Sequence, residues 1–471
     1  MAKILYYNWV QFDNKKNTGG GVNVYLKNLM NKLAQQDEHD IYFLSSGWKY
    51  NPLKQGPYIR KTQNIHQPKI KSFEIINSPI MAPAFVIFNS LTRYLNDDIT
   101  EKLFIEFIKE NGPFDVIHIN NIEGISINVL KIKEHFPNTK IILSIHNYQP
   151  ICPLNQYFQN HNNCICNDYK EGEECLKCLI SSIDKKEYVR RYRNYLFDLI
   201  NIEKFPFLKV PLKAYSKLFM YKNKQYLDFN KGADSSVYKK YREYNVSMIN
   251  KYADLVLAVS DRVGQILIEN GINPNIIKTS YIGTKIAENQ VKGNNSNKQT
   301  NPFTIAYIGY ERIDKGYFFL LDALEKLDKN IAKQMNVLLA VRNINKKFAQ
   351  NKLKNFNKVI IYNGYNHKEL PKIMAQVNLG IVPVIWEDNL PQVAIEMVAC
   401  GVPILCSSFG GASELCKSEL FKYKGGDQQD FLEHLIKFIN SPSTLNDYWN
   451  NHIGLTTMDK HIEELFKFYE S

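Results

Sequence analysis

The chain has 471 residues, 44% of them hydrophobic, with a formal charge of +12 at pH 7. This length and apolar content suit two or three packed domains and exclude a disordered or collagen-like chain. The charge excess asks for an anionic partner: nucleic acid, anionic lipid or a phosphorylated substrate.

In chain order, KILYYNW (3–9) predicts a strand, NTGGG a loop and 22–34 a helix. The opening apolar run is too short for a signal peptide core, so a cytoplasmic chain with reduced cysteines is the expectation. DIYFLSS (40–46) is a strand, and PIMAPAFVIF (79–88) is too short and too proline-rich to cross a bilayer. A helix over 97–111 and the strands FDVIHIN (114–120) and KIILSIHN (140–147) follow. Buried-type strands separated by helices argue for a parallel sheet covered on both faces, with its ligand crevice at the strand C-termini. His118 and His146 lie near two such ends. The stretch of about 148–245 breaks the rhythm and reads as a Cys-rich, basic, helical insertion. ADLVLAVS (253–260) restores the rhythm, and the polar run 285–301 reads as a linker. The alternation restarts from FTIAYIGY and runs to PILCSS, and the last segment, MDKHIEELFKFYE, is an amphipathic helix. The organisation expected is an N-terminal domain over 1–284, a second α/β domain over 302–452, and a terminal helix over 453–471 that returns to the first domain.

The stretch IVPVIWEDNLPQVAIEMVACGVPILCSSFGGASEL carries the strongest chemical signal. A strand ends at Val384, an acidic loop follows, and Pro391 opens a helix whose N-terminus suits an anion. Asp388 and Glu396 stand where they can hold the hydroxyls of a sugar and a ribose. Gly410 and Gly411 follow the next strand, where backbone must approach something closely.

This segment resembles the signature of the retaining glycosyltransferase family 4: an acid, seven residues, Glu, then A-C-G-x-P and a Gly-Gly turn. Asp388 stands where Glu is usual, with Glu387 as an alternative for the sugar contact. The resemblance implies that Glu396 binds the ribose and that Asp388, Asn389 and Leu390 face the transferred sugar and the phosphates. In AYIGYERIDKGYFFLLDAL, Gly309, Lys315 and Gly316 match the family, Tyr310 occupies its Arg position, and Arg312 is the nearest replacement. Lys315 and Arg312 would then neutralise a diphosphate. NGYNHKELPKIMAQVNLGIVP resembles the base-binding region, in which Gly364, Tyr365 and Leu370 are carried over. Gly20 and Gly21 match the family's N-terminal glycine loop. SIHNYQPICP resembles a segment of a subgroup acting in surface polysaccharide synthesis, which implies that His146 helps position the donor sugar.

Five of the eight cysteines fall between Cys152 and Cys178. Two readings stay open. Cys164, Cys166, Cys175 and Cys178 hold a structural zinc, with Cys152 as an alternative ligand, or the thiols are simply packed in a loop. From residue 185 to 245 there are 15 Lys/Arg against 6 Asp/Glu, interleaved with aromatics. With no nucleic-acid-binding signature, this pattern favours an anionic membrane surface, although a solvated hairpin over the cleft has the same composition.

Taken together, the resemblance implies a GT-B fold: two doubly wound, Rossmann-like domains facing a cleft. The activity implied is transfer from a nucleoside diphosphate sugar to a hydroxyl of a saccharide or lipid-linked saccharide, with retention, at the cytoplasmic face of an inner membrane. His146, Asp388 and Lys315 are the catalytic candidates, and no catalytic metal is expected. The alternatives are a non-catalytic scaffold on the same fold, or an epimerase or phosphorylase.

Overall fold

The computed structural model describes residues 1–14, 18–36, 38–62, 67–83, 91–178, 185–222, 234–291 and 302–471, with backbone alone at 185–188 and 220–222. In the first half the strands are β1 (Lys3–Tyr7), β2 (Asp40–Ser46), β3 (Tyr58–Lys61), β4 (Lys71–Ile76), β5 (Val116–Ile119) and β6 (Lys140–Ile145). A short hairpin of β7 (Phe158–Gln159) and β8 (Cys164–Ile165) comes next, then β9 (Leu255–Ala258) and β10 (Ile277–Thr279). The second half holds β11 (Phe303–Tyr310), β12 (Met335–Arg342), β13 (Lys358–Tyr362), β14 (Leu379–Val382), β15 (Ile404–Ser407) and β16 (Lys422–Tyr423).

The first sheet has the order β10-β9-β6-β5-β1-β2-β4-β3, parallel throughout except for the β3–β4 edge pair. The second has the order β13-β12-β11-β14-β15-β16 and is parallel throughout. The interior strands are nearly all buried, as parallel sheets covered on both faces require. In each sheet the chain starts in the middle, winds to one side, then returns to wind to the other. The reversals fall between β1 and β5 and between β11 and β14, and at such points the loops after adjacent strands part to leave a crevice.

The two domains are tied by the C-terminal helix and by the segment that joins them. Helix Met458–Glu470 lies on the N-terminal domain, where His461 bonds Tyr25 at 2.8 Å and Asp459 pairs with Lys32 at 2.9 Å. Tyr469 reaches His118 at 2.6 Å. The expected linker is partly anchored. A short helical turn covers Lys285–Asn289, and the Val291 amide donates to the Ala399 carbonyl at 2.9 Å. The rest of that stretch lies outside the described residues.

The insertion between β6 and β9 contains the β7–β8 hairpin and the helices Lys185–Leu199, Lys209–Lys222 and Ser235–Tyr252. Asp234 caps the last of these, its carboxylate accepting from the Ser236 amide.

Candidate active site in the interdomain cleft

A cavity of about 400 Å³ opens where the C-terminal edges of the two sheets meet. The C-terminal domain supplies most of its wall, through the loops after β11, β12, β13 and β14. The β11 and β14 loops flank the reversal point of that sheet and touch directly. A side chain at Gly316 would strike the Pro383 carbonyl, and the residue sits at φ +73, so glycine is required there on both counts. Gly410, at φ +72, has the same relation to the Asp388 backbone. Gly411 donates its amide to the Asp388 carbonyl at 2.9 Å.

These approaches bring together residues far apart in sequence. Lys315 Nζ lies 2.6 Å from Asp388 Oδ2 and 4.7 Å from the centre of the Trp386 ring. An ammonium has three N–H donors, so the Asp388 bond leaves others for a ligand. Asn389 lines the cavity with its side-chain amide nitrogen buried and without a hydrogen-bond partner. Helix Gln392–Ala399 points its N-terminus into the same space, and no side chain caps it. Its free amides and dipole make that end an anion site. One turn further, Glu396 accepts a short hydrogen bond from the Tyr365 hydroxyl, with His367 Nδ1 at 3.5 Å. Burial pushes the Glu396 carboxyl above its usual range, against the opposing pull of the Tyr365 bond and His367.

The N-terminal domain closes the cavity with Gly20, Gly21, Tyr25 and His146. Gly20 opens helix Gly20–Gln36, and Gly21 faces Gln392 at the mouth of the opposing helix. His146 follows β6, with its ring 5.1 Å from Tyr25 and its Nε2 buried without a partner. Burial, and then the charge of His461, push its pKa down to about 3. The ring is therefore neutral at physiological pH and serves as a hydrogen-bonding group and not as a cation.

Gly309, Gly364, Tyr365, Lys315, Asp388, Asn389, Leu390 and Glu396 thus share one cavity with Gly20, Gly21 and His146. Other expected residues lie elsewhere. Arg312 is forked onto Asp314 at 2.8 and 2.7 Å and does not line the cavity. A carboxylate two residues away outcompetes the cleft for it. Leu370 is wholly buried core beneath the loop after β13. Glu387, the alternative to Asp388, turns away to accept from Arg262 and from the Gly410 amide. His118 is fully buried between Tyr469 and Ser144, a structural position outside the cavity.

The sequence reading missed Arg342. It ends β12 and lines the cavity, and among the described residues its guanidinium has no hydrogen-bond or ion-pair partner. Its signal was present: a cation at the C-terminal end of an apolar strand, on the sheet edge where the crevice forms.

The zinc set is also revised. Cys164 is exposed and donates to Gln159, whereas Cys152, Cys166, Cys175 and Cys178 are buried. Arg242 donates to Cys175 Sγ at 3.7 Å, and Cys178 Sγ lies 3.4 Å from His161 Nδ1. Burial first, then the neighbouring thiols, push Cys166 up to about 11, and burial does the same for Cys175. Among the described residues no three His, Cys, Asp or Glu side chains are spaced to hold a metal ion. Cys164 lies on the exposed β7–β8 hairpin, so the four expected ligands do not converge.

Residues 289–453 match the family described as glycosyl transferases group 1. No curated protein matches the chain. Among solved structures the chain is similar to Anabaena Alr3699/HepE in complex with UDP and glucose, at 15% identity and a TM-score of 0.55, over 100% of both chains. It is similar to the sucrose-phosphate synthase of Thermosynechococcus elongatus at 14% identity and a TM-score of 0.59, over 100% of this chain and 98% of that one. The UDP-forming α,α-trehalose-phosphate synthase of Burkholderia xenovorans, in complex with glucose-6-phosphate, gives 11% identity and a TM-score of 0.57 over 100% of both. At these identities the likeness establishes the fold, which is GT-B.

Proposed function

We propose that this chain, whose residues 289–453 match the group 1 glycosyltransferases, moves a sugar from a nucleoside diphosphate sugar to a hydroxyl of a saccharide or lipid-linked saccharide. The observation that carries the reading is the convergence, in one cleft, of Lys315, Arg342, the uncapped N-terminus of helix Gln392–Ala399, and Glu396. Two cations and a helix N-terminus suit a diphosphate, and a buried carboxylate one turn along the same helix suits a ribose diol.

In this reading Glu396, oriented by Tyr365, accepts hydrogen bonds from the ribose hydroxyls. Lys315, Arg342 and the helix amides hold the diphosphate and stabilise the charge that grows on it as the glycosidic bond breaks. Asp388 orients Lys315, and Asn389 offers its unpaired amide to the sugar. Neutral His146, at the opposite wall, bonds a sugar hydroxyl and fixes the reacting carbon toward the acceptor. Retention of configuration is taken from the resemblance of the Asp388–Glu396 segment to the retaining family. The acceptor is read as a saccharide or lipid-linked saccharide, and the basic, aromatic insertion, packed on the residues after β2, supports a reading in which the enzyme works at the cytoplasmic face of a membrane. Among the described residues no helix is long and apolar enough to cross one.

A panel of UDP, GDP and ADP sugars tests the reading by thermal shift and by donor turnover. One class of donor should stabilise the fold and be consumed, and Glu396→Ala should abolish both effects while remaining folded. A folded wild-type protein that binds none of the panel would reject the reading. One that binds a donor without turning it over with any acceptor or with water would favour the scaffold.

A further inference from the structure

Helix Lys209–Lys222 is apolar on two opposite sides. Leu212, Ser216 and Phe219 face inward, with the Phe219 ring 5.2 Å from Tyr192 of helix Lys185–Leu199. Val210, Ala214 and Leu218 form the outward side, with Val210 74% and Leu218 63% exposed. A helix on a soluble surface buries one apolar stripe and shows water a polar one, so a second apolar stripe asks for a partner.

The turn before this helix adds Phe205 and Phe207, an edge-to-face pair that is also exposed. Six of the fourteen exposed large hydrophobics among the described residues fall between Leu199 and Leu218; Tyr215 leans toward Tyr192, whereas Phe205, Phe207, Val210 and Leu218 stay on the exposed side. Lys204, Lys209, Lys213 and Lys217 border it, all exposed and without a carboxylate partner among the described residues. Glu203 is the lone acid in that stretch.

Helices Lys185–Leu199 and Lys209–Lys222 pack as a helical hairpin, and that hairpin is also fixed in place. Arg191 donates to the Gly47 carbonyl, Arg190 lies 4.8 Å from the centre of the Trp48 ring, and Asn51 donates to the Tyr195 hydroxyl at 3.2 Å. Residues 47–51 follow β2, so the hairpin rests on the sheet edge from which Gly20 and His146 enter the cleft.

We propose that Phe205, Phe207, Val210 and Leu218 enter the interfacial layer of an anionic lipid bilayer, while Lys204, Lys209, Lys213 and Lys217 bind its headgroups. The choice of a bilayer follows from the alternation. Lysine stems lie along apolar surface while their ammonium groups reach the phosphates, and aromatic and aliphatic tips fill the boundary below. A single-stranded RNA could stack on Phe205 and Phe207 but has no use for exposed aliphatic side chains such as Val210 and Leu218. Docking so placed sets the cleft mouth beside the lipid surface, where a lipid-linked acceptor would enter. That last consequence rests on the glycosyl-transfer reading, whereas the docking itself does not.

The test is co-sedimentation of the full-length protein with vesicles of mixed phosphatidylglycerol and phosphatidylcholine, compared with phosphatidylcholine alone. Wild type should bind the anionic vesicles at low salt and release as salt rises. Joint replacement of Phe205, Phe207, Val210 and Leu218 by Ser should weaken binding by about tenfold or more at every salt concentration. Lys209→Gln, Lys213→Gln and Lys217→Gln together should weaken it by about tenfold or more at low salt and flatten the salt dependence. Both variants should keep wild-type donor turnover with a soluble acceptor or water. Wild type that ignores anionic vesicles at low salt would overturn the proposal, as would serine variants that bind like wild type. A concentration-dependent dimer abolished by the serine replacements, with vesicle binding unaffected, would assign the patch to a second copy instead. Vesicle binding without donor turnover would reject the catalytic reading and leave the docking surface standing.

Discussion

The guanidinium of Arg262, in the N-terminal domain, meets the buried carboxylate of Glu387, in the C-terminal domain, through Nη2 at 2.6 Å and Nε at 3.1 Å. Glu387 also accepts from the Gly410 amide at 2.8 Å, and the next residue, Asp388, holds Lys315. A second carboxylate, Glu414, accepts from the amides of Asp261 and Arg262 and so caps the helix that begins there. The relative position of the two domains is therefore transmitted to the loop after β14 that lines the cleft.

Arg262→Ala should leave Glu387 buried with a single amide for company. We expect a loss of about 1–3 kcal/mol in stability and a raised KM for donor, because the charge loses its main partner and the loop its anchor. Chemical unfolding and donor titration check this. A double-mutant cycle with Glu387→Gln should show coupling, and two independent, additive effects would contradict it.

Lys315→Ala and Arg342→Ala should each weaken a nucleoside diphosphate by about tenfold or more and leave the free nucleoside nearly unaffected, as expected of charge-assisted contacts to phosphate. Calorimetric titration of both ligands separates the two sites. If Arg342→Ala weakened nucleoside and diphosphate equally, Arg342 would belong to the base and not to the phosphates. Arg312→Ala should change neither affinity, since Asp314 already holds that side chain.

His146→Ala should reduce transfer more than donor binding, because the ring is assigned to the sugar at the moment of reaction. Its pKa is pushed down to about 3, so the rate profile between about pH 5 and 8 should show no limb that disappears in this variant. A limb near the ordinary histidine range that vanishes with His146 would refute a permanently neutral ring.

Stability should fall as the solution is acidified. Burial lowers His118 and His146 to about 3 and His461 to about 4, whereas the unfolded chain takes up these protons near pH 6.5. The unfolded state therefore binds more protons between these limits. The stability present above about pH 6.5 is lost toward pH 4, at up to about 1.4 kcal/mol per pH unit for each histidine. Denaturant unfolding at several pH values measures the slope, which His461→Gln should reduce by about one proton. An unchanged slope in that variant would show that His461 is not held neutral in the fold.

The sequence by itself determined what depends on near neighbours. The buried runs of β1, β11 and β14 announced parallel sheets because each strand carries its own apolar faces. The acidic loop, Pro391 and Glu396 announced an anion-binding helix because their spacing is local. The Lys315–Gly316 step could be read the same way, since one turn has to position both residues. Only the tertiary structure decided which charges are free to meet a ligand. In sequence the family pattern favours Arg312 and passes over Arg342, yet Asp314 occupies the first and among the described residues nothing occupies the second. Glu387 and Asp388 are adjacent acids, but Arg262, 125 residues away, claims Glu387 and leaves Asp388 to the cleft. The same holds for the cysteines, where Cys152 is buried and Cys164 is exposed despite its closer spacing to the pair. The physical reason is common to all three cases. A charged or buried group is satisfied by whichever partner the packing brings within bonding distance, and chain spacing does not reveal that partner when it comes from another element.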